Sequence, residues 1–351
     1  MGSIMPEWKE MLQCLKEYDG PEVALMEVCG THTASISENG IPDMLSPRIR
    51  LISGPGCPVC VTVAAYIDRL VQLSQEKDTC VVTFGDMIRV RGSEKSLRDS
   101  GAVGGRIEMV YSPLDTLRLA AAHPETTFVF AAVGFETTTP LYGVLLEKAM
   151  EKKLDNIRLL TALKTMPPAI DWVCRHNRGI TGFIAPGHVS VMTGSRIYAP
   201  LAQRYGIPFA VAGFEGESLL AAIYALVQQR GRGAVLNFYP QAVTESGNAK
   251  AAALVSKYFT PEDSVWRGIG VIPGSGLVLR EEYRRFDAGS RGLEADKPAE
   301  NGCQCDKVIV GAISPTACPL FGTACTPELP KGACMVSTEG SCYNYFVNKR
   351  R

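Results

Sequence analysis

Two short cysteine motifs and one cysteine-rich block hold the residues best suited to chemistry. Cys57-Pro-Val-Cys60 follows Gly54-Pro-Gly56, which ends the apolar run Arg50-Leu51-Ile52. Glycine takes positive φ and proline fixes its own, so Gly-Pro-Gly forces a tight turn. Apolar residues then recur at helical spacing (Val63, Ile67, Leu70, Val71), which puts both thiols at or just before a helix N-terminus. Unpaired N–H groups and the helix dipole favour a thiolate there. Thiols three residues apart can close a disulfide or share a metal. A structural pair in a turn is the plain alternative, although C-x-x-C without a signal peptide usually means redox or metal chemistry.

The second motif, Cys29-Gly-Thr-His32, lies at the end of the run Val23–Val28. The third feature is a block of six cysteines between Cys303 and Cys342, rich in proline and glycine. Its last four, Cys318, Cys325, Cys334 and Cys342, are separated by six, eight and seven residues. Such a segment has too little apolar patterning to fold by burial alone, so a bound metal centre would supply the missing stability. Structural zinc sites usually include a cysteine pair two to four residues apart, and none of these four is so close to its neighbour. Four cysteines on loops suit a [4Fe–4S] cluster better. Zinc and unligated thiols stay open.

The elements that must position these residues follow an alternating pattern. Strands are expected at Val23–Val28, up to Gly54, at Thr79–Phe84, Arg106–Tyr111, Phe128–Val133, Ile157–Leu163, Ile180–Ala185 and Phe209–Ala212. Helices are expected at Trp8–Tyr18, Val61–Leu73, Leu114–His123 and from Leu141. Alternation of this kind is the pattern of a parallel α/β sheet. Gly-Phe-Glu occurs twice, at Gly134–Glu136 and Gly213–Glu215, each time between a strand and a helix. In open α/β sheets ligands gather beyond the carboxyl ends of the strands. Cys29, His32, Cys57, Cys60, Asp86, Glu136, His188 and Glu215 all fall at such ends. For the three carboxylates, helix capping is an equal alternative.

The chain has 351 residues, with 36 Lys plus Arg balanced by 36 Asp plus Glu. No global field selects nucleic acid or an acidic membrane, and the terminal Lys349-Arg350-Arg351 is too short to change that. No apolar run reaches the ~20 residues of a membrane span, and the first residues lack the core of a signal peptide. A cytoplasmic location is expected, where twelve cysteines point to metal or thiol chemistry more than to a disulfide framework. No Gly-x-Gly-x-x-Gly after a strand and no phosphate loop is present. Asp287–Gly302 is glycine-rich and charged, as a linker or exposed loop would be.

Taken together the motifs resemble the HypD family of hydrogenase maturation factors, from about Val23 to Tyr345. The matching stretches are Glu27–Thr33, Ser53–Thr62, Thr83–Met87, Tyr111–Asp115, Gly134–Thr138, Pro186–Ser190, Trp266–Gly270, Cys318–Gly322, Cys334–Ser337 and Glu339–Cys342. The resemblance implies two related parallel-sheet α/β domains plus a small loop-rich C-terminal iron–sulfur domain, here set at 1–123, 124–240 and 241–351. It implies a scaffold that, with the small partner HypC, holds iron while cyanide from HypE and carbon monoxide are attached, serving the large subunit of a [NiFe] hydrogenase indirectly. Carried across, Cys29 matches the iron-binding cysteine with His32 beside it. Cys57 and Cys60 match the adjacent thiol pair, and Cys318, Cys325, Cys334 and Cys342 match the [4Fe–4S] ligands. Arg91, Gly216-Glu217 and Ala34-Ser35 depart from the family pattern without touching a cysteine. A cluster-linked thiol–disulfide oxidoreductase without mononuclear iron, and a cluster-bearing interaction module, are the other function classes.

Overall fold

The computed structural model describes residues 7–296 and 302–348. The basic tail Lys349–Arg351, the first six residues and part of the 287–302 loop lie outside the described residues. Eleven strands are found among them: β1 Val23–Glu27, β2 Ile49–Ser53, β3 Thr79–Thr83, β4 Ile107–Met109, β5 Thr127–Gly134, β6 Ile157–Lys164, β7 Gly182–Ala185, β8 Phe209–Val211, β9 Val235–Asn237, β10 Phe259–Trp266 and β11 Gly270–Leu279.

They form two sheets. The first has the order β2-β1-β7-β8-β9 and is parallel throughout. The second has the order β10-β11-β6-β5-β3-β4; β6, β5, β3 and β4 are parallel, and the β10–β11 hairpin joins β6 antiparallel. Strands of parallel sheets are covered on both faces and read as continuous apolar runs. Accordingly all of β1, and all of β5 but its first residue, is buried.

The sheets are not contiguous in the chain. The segment before residue 123 contributes β1 and β2 to the first sheet but β3 and β4 to the second. The helix Ala249–Tyr258 and the β10–β11 hairpin complete the second sheet, so the loop-rich C-terminal segment begins later than residue 241. One apolar core joins Met26 of β1, Val129 of β5, Phe183 of β7 and, from the C-terminal segment, Cys334, Met335 and Phe346. That segment therefore folds onto the sheets and carries only short helices, Cys305–Ile309, Ala333–Val336 and Ser341–Asn348. Helix Gly216–Gln228 is the one expected after the second Gly-Phe-Glu, and among the helices not expected are Met166–His176 and Gly187–Thr193. Met166–His176 opens on Pro167-Pro168, where a missing N–H costs nothing. Among the described residues no helix is long and apolar enough to cross a membrane.

Candidate cysteine site

Cys29 leaves the buried end of β1 in extended conformation and is the N-cap of the helix Gly30–Glu38. Its own N–H donates to the Glu27 carboxylate at 2.9 Å, and the Thr33 hydroxyl donates to the other oxygen of Glu27. Burial pushes the Cys29 thiol up to about 12 against the opposing pull of the His32 N–H, while the charges of Glu27 and Glu339 push further up. Burial likewise raises Glu27 to about 7. Burial therefore holds Cys29 as the neutral thiol.

The Gly-Pro-Gly turn lies directly on this backbone. Gly54 N–H donates to Glu27 O at 2.8 Å and Gly30 N–H to Gly56 O at 3.1 Å. A Cβ on Gly56 would sit 2.5 Å from the Val28 carbonyl carbon and 2.6 Å from Cys29 Cα, so only glycine permits the approach. Cys57 and Cys60 follow at once and are joined as a disulfide, with Cα atoms 5.3 Å apart.

The expected helix starts later than the apolar spacing indicated, at Ala64 with Val63 as N-cap. The residues between, Cys57 to Thr62, close a turn of their own through Val61 N–H to Cys57 O. The local donor to the pair is the Cys60 N–H, 3.1 Å from Cys57 Sγ. It is Cys29, not Cys57 or Cys60, that stands at a helix N-terminus.

A space of about 10 Å³, room for at most one water, is lined by Gly30, Gly56, Cys57, Cys60, Cys334 and Glu339 among others. It brings the C-terminal segment to the disulfide. Arg89 holds that segment by donating to Pro327 O at 3.1 Å and Val336 O at 3.4 Å, and Ser337 donates to Asp86 at 2.9 Å. A Cβ on Gly30 would lie 2.6 Å from Glu339 O, so the segment rests on the first turn of the Cys29 helix. Beyond Cys334, a second cavity is lined by six cysteines, Cys303, Cys305, Cys318, Cys325, Cys334 and Cys342, with Val308, Phe321 and Met335. Cys305 Sγ donates to Cys334 Sγ at 2.8 Å. Cys318, Cys325, Cys334 and Cys342 are each less than a tenth exposed.

A family model named HypD, described as the hydrogenase formation hypA family, matches residues 6–349. The chain belongs to the HypD family of hydrogenase maturation factors. The hydrogenase maturation factor HypD of Azotobacter vinelandii is 42% identical over 339 residues, covering 93% of this chain and 89% of that protein. HypD1 of Bradyrhizobium diazoefficiens is 42% identical over 341 residues, with the same coverage. A putative hydrogenase expression/formation protein of Methanocaldococcus jannaschii is 39% identical over 333 residues, covering 94% of this chain and 93% of its own.

In this chain the remaining sequence candidates separate into three places. Fully buried His32 turns Nε2 toward Ala212 O and Gly213 O at 3.2 and 3.1 Å, and its Nδ1 has no partner. Carbonyls accept, so Nε2 carries the proton and Nδ1 keeps the lone pair; burial lowers the imidazole to about 4. The Phe214 ring lies between His32 at 4.9 Å and exposed His188 at 4.2 Å. Glu215 is exposed and stands at the N-cap position of the helix Gly216–Gln228, but its side chain accepts from the preceding Phe214 N–H at 3.2 Å and from no N–H of the helix. Glu136 caps, accepting from Met166 N–H at 2.8 Å, and burial raises it to about 7. Asp86 alone of the carboxylates adjoins the cysteine site, beside Glu339, which burial and the Asp86 charge raise to about 7. Glu27, Glu339, Arg89, Cys303 and Cys305 were not expected as site residues. A carboxylate inside a five-residue buried strand was the one local clue, at Glu27.

Proposed function

We propose that this HypD-family chain is the scaffold on which, in complex with HypC, the iron of a [NiFe] hydrogenase receives cyanide from HypE and carbon monoxide before reaching the large subunit. The observation that carries the reading is the lacing of Cys29 to the Cys57–Cys60 turn through Gly30–Gly56 and Gly54–Glu27 hydrogen bonds, with Cys334 lining the cavity of that disulfide. Cyanide and carbon monoxide bind soft, electron-rich iron(II), and thiolates supply that density. Cys29 would provide one thiolate, and a thiolate of HypC a second. His32 Nδ1 is the nitrogen left to assist.

The iron–sulfur group is tested against the residues present. Six thiols around one apolar-walled cavity suit an all-thiolate polynuclear group. A [4Fe–4S] cluster would exchange electrons one at a time. Spacing names Cys318, Cys325, Cys334 and Cys342 as its ligands. The 2.8 Å Cys305–Cys334 contact favours a second partition, in which Cys303 supplies the fourth thiolate and Cys305 and Cys334 form a thiol pair facing Cys57–Cys60. In either partition Cys57 and Cys60 release two electrons and two protons when they close their disulfide.

An infrared spectrum of the protein isolated with HypC tests the proposal. Bands of iron-bound cyanide and carbon monoxide, with one iron beyond the cluster, support it. The same complex with cluster iron only and no such bands would make the chain a cluster-linked thiol–disulfide oxidoreductase.

A further inference from the structure

Lys164, at the end of β6, is 3% exposed, and the cysteine chemistry does not use it. Its ammonium nitrogen donates to two neutral oxygens, Ser264 Oγ and Val265 O, both at 2.8 Å, and lies 5.5 Å from the centre of the Trp266 ring. No carboxylate pairs with it among the described ion pairs. Burying a cation without a counter-charge is costly, and the group answers by neutralising. Here burial alone lowers Lys164 from 10.5 to about 7. A methionine would fill such a position at no electrostatic cost, so an amine there calls for a use.

The use is suggested by what adjoins it. Beside the two β6–β11 pairs, Leu163 with Leu277 and Lys164 with Gly276, a cavity of about 340 Å³ opens between β6, the β10–β11 hairpin and residues 290–294. Lys164 and Thr161 both line it. The charged groups around the cavity are Glu262, Asp263, Glu294 and Arg291. Glu262 pairs with Arg291 at 3.1 Å, and Asp263 accepts from Gly274 N–H at 2.9 Å. Three carboxylates against one guanidinium repel an anion, so the chemistry selects an uncharged ligand that a buried amine can hold. Buried lysines are the ones that form Schiff bases.

We propose that this cavity binds a small uncharged aldehyde or ketone, which Lys164 holds reversibly as an imine. Nζ adds to the carbonyl carbon, forming a C–N bond. The two N–H hydrogens leave with the carbonyl oxygen as water, and hydrolysis reverses the step with no change of oxidation state. The site is independent of the iron chemistry proposed above.

The test is reductive trapping on the intact native protein, with propanal as probe and cyanoborohydride as hydride source at pH 7, read by peptide mass mapping. Lys164 should gain its propyl group at least tenfold faster than the exposed Lys148, Lys152 and Lys153, and in urea the preference should vanish. Val271 lines the cavity and is 58% exposed, so Val271→Trp narrows the entrance without disturbing the core. It should slow Lys164 labelling several-fold and leave Lys148 unchanged. Labelling of Lys164 no faster than of the exposed lysines, a preference that persists in urea, or full speed in Val271→Trp would each overturn the proposal.

Discussion

Gly56→Ala puts a methyl group where Cys29 and Cys57 are held together. The new Cβ would lie 2.5 Å from the Val28 carbonyl carbon and 2.6 Å from Cys29 Cα. These are backbone atoms, unable to swing aside, and carbon contacts relax only near 3.5 Å, so the strands must part by about 1 Å. Overpacking of this kind costs about 1–3 kcal/mol. The Gly30–Gly56 and Gly54–Glu27 hydrogen bonds, 3.1 and 2.8 Å long, weaken with it, at about 0.5–1.5 kcal/mol each. The loss should reach about 2–6 kcal/mol, measured as a lower urea midpoint at unchanged slope. A displacement of about 1 Å between reacting groups also costs up to about a hundredfold in rate, so assembly of the iron centre should fail before the fold does. Gly101→Ala is the control, since its nearest neighbour would be 3.5 Å away. Gly56→Ala with wild-type stability and wild-type assembly would refute the claim that this turn is built against Cys29.

Protein prepared without oxygen should hold about four iron and four sulfide per chain. Cys318→Ser, Cys325→Ser and Cys342→Ser should each lose most of both. Comparing Cys303→Ser with Cys334→Ser decides the partition, because the variant that keeps its cluster marks the cysteine outside the ligand set. Stoichiometric zinc without sulfide would end the cluster reading. Differential alkylation after mild oxidation and reduction should label Cys57 and Cys60 together, with a midpoint that falls as pH rises; both thiols staying free in oxidised, folded protein would remove their redox role. Lys164, lowered from 10.5 to about 7, binds its proton more tightly in the unfolded chain, so its penalty is full below pH 7 and disappears as pH rises toward 10.5. At 1.36 kcal/mol per pKa unit the wild type should gain about 4–5 kcal/mol across that range relative to Lys164→Met, by urea unfolding at each pH. Parallel stability curves for the two proteins would show that the amine is not strained by burial.

The local pieces were legible because local forces make them. Val23–Val28 and Thr127–Gly134 are apolar runs with no other use than a covered parallel strand, and Gly-Pro-Gly can only turn. What the pattern could not disclose is pairing. β1 takes β7 as its neighbour, matching Leu25 to Gly182, and no local signal connects residues so far apart. The expected boundaries at 123 and 240 followed the order of the chain, whereas the sheets follow burial. Cys303 and Cys305 fall outside the spacing of the last four cysteines, yet Cys305 meets Cys334 29 residues later. Glu136 and Glu215 looked alike in their repeated Gly-Phe-Glu, yet Glu136 accepts from Met166 N–H at the start of a later helix while Glu215 accepts only from its neighbour Phe214.

The central claim is that Cys29 holds the iron. The direct measurement is infrared spectroscopy of the HypC complex carrying Cys29→Ala, with cluster iron and sulfide determined in the same sample. The cluster should remain at wild-type content, because Cys29 is not among the residues that line the six-cysteine cavity, and the bands of iron-bound cyanide and carbon monoxide should disappear. His32→Ala should weaken them less, since its Nε2 is spent on Ala212 and Gly213. Full-intensity bands in the Cys29→Ala complex would mean that the iron is held elsewhere.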